Sequence, residues 1–207
     1  AVVLKRLEDA IRDQATIYAV ITGYGQGSDG KGKYIAAPNE LWQAKTIEQA
    51  YRMAGYSIDT VEMIEAHGTS TTVGDVVEVA ALKRSFASLE SKRKKFCGLG
   101  SVKSNIGHLK SAAGIAGFLK AVLALHHKFL PPTASFEEIN PKLQIGDSPF
   151  YILQSLLVDR VQSTQQYDHY TLLLHDNILI HIPIHWGKPD EMDRRTTDHN
   201  SSFFIIL

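Results

Sequence analysis

Apolar residues recur along the chain in two rhythms, a helical one of about 3.6 residues and a strand-like one of two. Val3, Leu4, Leu7, Ala10 and Ile11 share one helical face, which predicts an amphipathic helix at the start. Ile17 to Ile21 is rich in β-formers and predicts a buried strand, running into a glycine-rich loop over Gly23 to Gly32. A helix is expected over roughly Glu40 to Ala54, stopped by Gly55. Val61 to Glu65 reads as a short strand. Asp75 is the expected cap of a helix through Val76, Val79, Ala80, Leu82 and Phe86. Phe96 to Val102 is the next strand, and Ser111 to His127 the strongest helix, ended by Pro131-Pro132. Strand and helix alternate, so the pattern predicts an α/β protein with substantial parallel pairing.

Beyond about Tyr151 the character changes. Five of the nine histidines fall there (His169, His175, His181, His185 and His199), with Gln- and Thr-rich stretches and an apolar end, Phe203 to Leu207. Strands can be drawn over Tyr170 to Leu174 and Ile178 to Ile184, but no helix joins them to the earlier alternation. Residues 153–207 therefore read as a tail separate from 1–152, with an aggregation-prone end.

Composition narrows the class. The 207 residues suffice for one large domain. Lys+Arg and Asp+Glu each total 22, so no global field favours nucleic acid or an anionic membrane. No apolar run approaches the ~20 residues of a membrane span, and charge in Lys5-Arg6 comes too early for a signal peptide. A lone cysteine, Cys97, excludes an internal disulfide framework. The expectation is a soluble, cytoplasmic protein whose true N-terminus lies upstream of Ala1.

Candidate chemistry centres on two histidines. His67 lies in Glu65-Ala66-His67-Gly68-Thr69-Ser70-Thr71, and His108 in Lys103-Ser104-Asn105-Ile106-Gly107-His108. Each follows a strand-like run and precedes a helix-like one, which puts an imidazole at a strand end. Small residues around both leave room for a ligand, and two neutral imidazoles could donate to an oxyanion, each such donor being worth ~10²–10³ in rate. Lys103 is either a surface lysine or a positive charge that keeps a neighbouring histidine neutral. Thr69 and Thr71 either satisfy a turn or line a tunnel for a polar ligand arm. Asp75 and Glu78 are most simply charges at a helix start.

Other features carry less. The glycines at 23–32 form neither GxGxxG nor a P-loop, so a surface loop is the better reading than a phosphate cradle. Lys92-Arg93-Lys94-Lys95 reads as a solvated loop. His181 and His185 share a strand face without further metal ligands at organised spacing. Cys97, inside a buried strand, reads as structural rather than as a nucleophile.

Together, Glu65-Ala66-His67-Gly68-Thr69-Ser70-Thr71 with Gly74-Asp75, and Gly100-Ser101-Val102-Lys103-Ser104-Asn105-Ile106-Gly107-His108 with Ala112-Ala113-Gly114, resemble the C-terminal half of β-ketoacyl synthases of polyketide and polyunsaturated-fatty-acid synthases. Val3 to Leu7, Ser28-Asp29-Gly30 and Leu130 to Thr133 add to the likeness, which covers about residues 1–152. The resemblance implies an incomplete thiolase-like αβαβα sandwich. It implies decarboxylative Claisen condensation of an acyl thioester with a malonyl-type extender. It places catalytic roles on His67, His108 and Lys103, and pantetheine-arm contacts on Thr69 and Thr71. The implied partners are an acyl carrier protein bearing phosphopantetheine, the N-terminal ketosynthase half and a second copy in a homodimer. No bound cofactor or metal is expected. The family's nucleophilic cysteine is not matched by Cys97, and the family's Gly-Phe-Gly-Gly-Thr-Asn ending has no counterpart in 153–207, so the chain alone is expected to be inactive. The alternatives are a non-catalytic carrier- or subunit-binding fragment, a thiolase-like acyltransferase, and a product with no stable fold.

Overall fold

The computed structural model describes residues 1–30, 37–158, 167–174, 178–185 and 203–206, with side chains to 156 apart from the gap at 31–36. Chain order is β1 (Val3–Arg6), α1 (Leu7–Arg12), β2 (Ala19–Ile21), β3 (Gly23–Gln26), α2 (Glu40–Ala54), β4 (Val61–Glu65), α3 (Gly74–Ser88), β5 (Cys97–Gly100), α4 (Lys103–Ile106), α5 (Ala113–His127), β6 (Phe129–Leu130), β7 (Phe150–Ile152), β8 (Leu157–Val158), β9 (Tyr167–Leu174), β10 (Ile178–His185) and β11 (Phe203–Ile206). The main sheet is ordered β3-β10-β9-β4-β5-β7, and the β9-β4-β5-β7 part is parallel.

Helices cover both faces of that sheet. Ala44, Ile47 and Tyr51 of α2 and Val79, Leu82 and Phe86 of α3 pack on Ile64, Leu99 and Phe150. Phe118, Ala121, Val122 and Leu125 of α5 pack on the opposite side against Met63, with Leu130 and Leu153. The period of two along β4 sends Ile64 one way and Met63 the other. Ala19 of the small sheet β1-β11-β2 also joins the α5 cluster, while Leu7 and Val20 form a satellite core beneath α1.

Local chemistry explains α2 well. The Asn39 side chain accepts from the Leu41 N–H, and Gly55 closes the helix with φ of 73° in the left-handed region. Three other expectations are corrected. Val3 to Arg6 is a strand, paired with Phe203 to Ile206, because an edge partner outweighs a short helical stripe; only Leu7 to Arg12 is helical. Asp75 is not the cap of α3, since Val73 holds that position. The stretch from Gly23 is a strand rather than a loop, with Gly23 and Gly25 facing α2. A methyl at Gly23 would strike the Ala50 carbonyl oxygen, and one at Gly25 that of Thr46. These glycines let a helix backbone lie directly on a strand.

The tail strands are built into the sheets. β9 lies beside β4, β10 joins β9 to β3, and β11 lies between β1 and β2. The side chains of His169, His181 and His185, and the residues His175 and His199, lie outside the described set. Gly25→Ala is expected to destabilise the fold by about 3 kcal/mol, as overpacking against rigid backbone does. Urea unfolding measures it, and a change within about 0.5 kcal/mol would show that α2 does not sit on β3 as described.

Candidate active site

Two parallel strands end side by side and deliver the site. β4 and β5 pair with Glu65 opposite Gly100, and the Ala66 N–H extends the ladder to the Gly100 carbonyl at 2.7 Å. His67 therefore leaves one strand at the level where Val102 and Lys103 leave the next. The single turn of α4 then closes at Gly107, whose φ of 73° only glycine adopts easily, and returns the chain to His108. The imidazoles of His67 and His108 meet at 5.4 Å between centroids with planes at 87°. The Lys110 N–H donates to His108 Nδ1 at 3.0 Å. A neutral imidazole whose Nδ1 accepts carries its proton on Nε2, so His108 presents an N–H donor on its other side.

His108 lines a cleft of about 610 Å³ together with Lys103, Ser104, Thr69 and Glu78, while His67 stands outside its walls, between the lining residues Ala66 and Gly68. Small residues serve it differently from expectation. Gly68 has φ of 47°, and a Cβ there would come within 2.8 Å of Ser101, so the glycine is needed to pass that side chain. At Gly107 the same test meets open space.

Three acids lie beneath the loop, Glu65 and Glu78 buried and Asp75 partly so, and the roles of Asp75 and Glu78 were not legible as helix-start charges. Glu78, only 7% exposed, accepts from the backbone N–H of His67 at 2.7 Å and of Gly68 at 3.0 Å, clamping the histidine's own peptide. Burial pushes its carboxyl above the ordinary range; the Gly68 and His67 amides pull it back, Asp75 adds repulsion, and Lys103 opposes it. Asp75 is also raised by burial, against the amides of Ser70, Thr71 and Thr69. It folds the loop that follows His67 rather than capping a helix. Glu65, 1% exposed, takes the Val102 N–H on Oε1 and lies 2.8 Å from Lys120 Nζ through Oε2. Burial raises it too, opposed first by Lys120.

Lys103 is half-buried at the cleft; burial lowers its pKa, while Glu65 and then Glu78 raise it. Thr69 and Thr71 place their hydroxyls 3.2 Å apart. Thr71 also accepts from the Gly74 N–H at the head of α3, so part of its task is local. Thr69 lines the cleft, and Thr71 stands outside its walls. Cys97 is fully buried in β5, and burial and then Glu62 push its thiol well up, the reverse of what a nucleophile needs. The basic run pairs locally: Lys94 with Asp147, and Arg93 with the Asp59 carbonyl. Among the described residues no group of three His, Cys, Asp or Glu side chains is placed to hold a metal, and no helix is long and apolar enough to cross a membrane.

Comparison with known proteins places the sequence and the fold in a family. Residues 18–137 match the family model of the β-ketoacyl synthase C-terminal domain. Polyketide synthase PksM of Bacillus subtilis is 45% identical over 151 residues, which is 73% of this chain and 4% of the relative. Polyketide synthase ThaG of Burkholderia thailandensis is 42% identical over 154 residues, 74% of this chain and 3% of the relative. Among solved structures, the ketosynthase from module 6 of the bacillaene synthase of Bacillus subtilis superposes with a TM-score of 0.83 at 34% identity, over 88% of this chain and 33% of that one. The chain thus spans about a third of a ketosynthase and a few per cent of the synthases it matches. The architecture is the thiolase-like α/β class, present in part. Within that class the chain belongs to the β-ketoacyl synthase family, in the C-terminal domain.

The buried acids make stability pH-dependent. The folded value of Glu78 lies above the ordinary one of about 4.3, so its contribution is fully present below that pH and is lost as pH rises through the folded value. Glu78→Gln is expected to flatten the fall of melting temperature as pH rises above the ordinary glutamate range. An unchanged slope would remove Glu78 from this account.

Proposed function

We propose that the chain is the histidine-bearing part of a ketosynthase, with residues 1–152 carrying the reaction's electrostatic half and 153–207 supporting it. The observation that carries this is the perpendicular pair His67 and His108, one of them with its Nε2–H donor set by a backbone amide. In decarboxylative condensation the bond between the extender's α-carbon and its carboxylate breaks, CO₂ leaves, and the electron pair becomes an enolate. The two imidazoles donate to the thioester oxygen where that charge collects. The enolate carbon then attacks the acyl thioester, and the thiolate that held the acyl group departs. The acyl-bearing cysteine belongs to a part of the enzyme outside this sequence, because Cys97 is sealed in the core.

Lys103 supplies positive potential at the cleft and keeps the neighbouring imidazole a neutral donor. Thr69 and Thr71 receive the amides of a phosphopantetheine arm on an acyl carrier protein. The N-terminal ketosynthase half and a second copy complete the enzyme, which works in the cytoplasm, where the free thiol of Cys97 persists.

The test grafts residues 1–152 into the matching third of the bacillaene module 6 ketosynthase and measures CO₂ release from malonyl-carrier protein. Activity is expected, falling ~10²–10³-fold in His67→Ala and in His108→Ala while carrier binding persists. Carrier binding without histidine-dependent CO₂ release would favour a non-catalytic docking role instead.

A further inference from the structure

The ion pair beneath β5 is not explained by the reaction as set out. Lys120 comes from the middle of α5, its side chain 11% exposed, and reaches along the face of the sheet that α5 covers to Glu65 at the end of β4. Its route is built for it. β5 alternates Cys97 and Leu99 into one core with Gly98 and Gly100 on the α5 side, and a Cβ at Gly100 would stand 3.3 Å from Lys120 Nζ. A lysine and a glutamate this deep are costly to desolvate and are retained for packing alone only rarely, since apolar side chains of like volume do as well. Glu65 also holds the Val102 N–H, the residue before Lys103, and it is the first of the two acids that act on Lys103 through space.

The charged residues that line the cleft are Asp75 and Glu78 of α3, Lys103 of α4, and Glu137 and Glu138 between β6 and β7; the pair of Glu65 (β4) and Lys120 (α5) stands outside its walls. Were Glu65 left to Lys103, the site would lose its forward-facing positive charge to a carboxylate two residues from His67. We propose that Lys120 is a positioning residue that acts through Glu65: by neutralising that carboxylate from beneath the sheet, it leaves the Lys103 ammonium committed to the cleft rather than to Glu65. The assignment rests on the ketosynthase reading for its purpose, but not for its test.

Competitive acylation of the purified chain reads Lys103 directly. Limiting N-hydroxysuccinimidyl acetate is applied between about pH 7 and 10, and labelling of Lys103 is followed by peptide mass spectrometry against exposed Lys142. In Lys120→Met the unneutralised Glu65 holds Lys103 as ammonium, so labelling slows about tenfold, the equivalent of one pH unit. Glu65→Gln speeds it severalfold, because Lys120 is left as an uncompensated cation that disfavours the Lys103 ammonium. The double variant Glu65→Gln/Lys120→Met returns within about twofold of the parent, and Lys120→Arg leaves the rate unchanged. Parent-like labelling in folded Lys120→Met overturns the proposal, as does a double variant no faster than Lys120→Met. If Lys120→Met does not fold, Glu65→Gln decides alone, and an unchanged Lys103 rate there overturns it. No substrate enters the assay, so its outcome is separate from that of the decarboxylation test.

Discussion

Parallel pairing of β4 with β5 is the constraint from which the rest of the site follows. In a parallel pair the two chains run the same way, so both exits lie on one edge of the sheet. The register that sets Glu65 against Gly100 decides which residues emerge together, and a slip of one would turn Met63 and Ile64 to the wrong cores. Apolar packing on both faces therefore does more than stabilise the domain. It fixes the level at which His67 and Lys103 come out, before any polar contact in the cleft is made.

The polar contacts then hold what packing has delivered, and they do so with carboxylates where water is scarce. Glu78 grips the two peptides that carry His67 and Gly68; Asp75 gathers the amides of residues 69–71; Glu65 takes that of Val102. All three are raised by burial, so each is held against an opposing desolvation cost by main-chain donors, and in one case by a lysine. Main-chain donors are rigid, and a carboxylate that accepts two of them orients a loop more firmly than packing of glycine and threonine could.

How much of this could be read beforehand depended on whether the signal was local. α2 was legible to its last residue because its stop, Gly55, needs no partner to act. β4 and the histidine motif were legible for the same reason. β1 was not, since Val3 and Leu4 satisfy a helical stripe and a strand equally and the decision rests with Ile205 and Ile206 at the far end of the chain. β3 hid behind glycines that composition assigns to loops, although their spacing of two matched the face that α2 covers. Glu78 and Glu65 were the larger omissions. A glutamate near a helix start or at a strand end looks like a surface charge, and only the fold shows that Glu78 sits eleven residues from the peptide it binds and Glu65 opposite a lysine of α5. The one forewarning was the period of two in β4, which puts Glu65 on the same inward face as Met63.

His108 receives its orienting proton contact from the main chain at residue 110, in a turn where Lys110 has φ of 53°. An N–H of this kind is common to every residue except proline. The tautomer of this histidine is thus encoded in the path of the backbone. Sequence drift around the turn can alter charge, bulk and solubility while leaving the donor intact, so the element of the site most sensitive in chemical terms is among the least exposed to mutation.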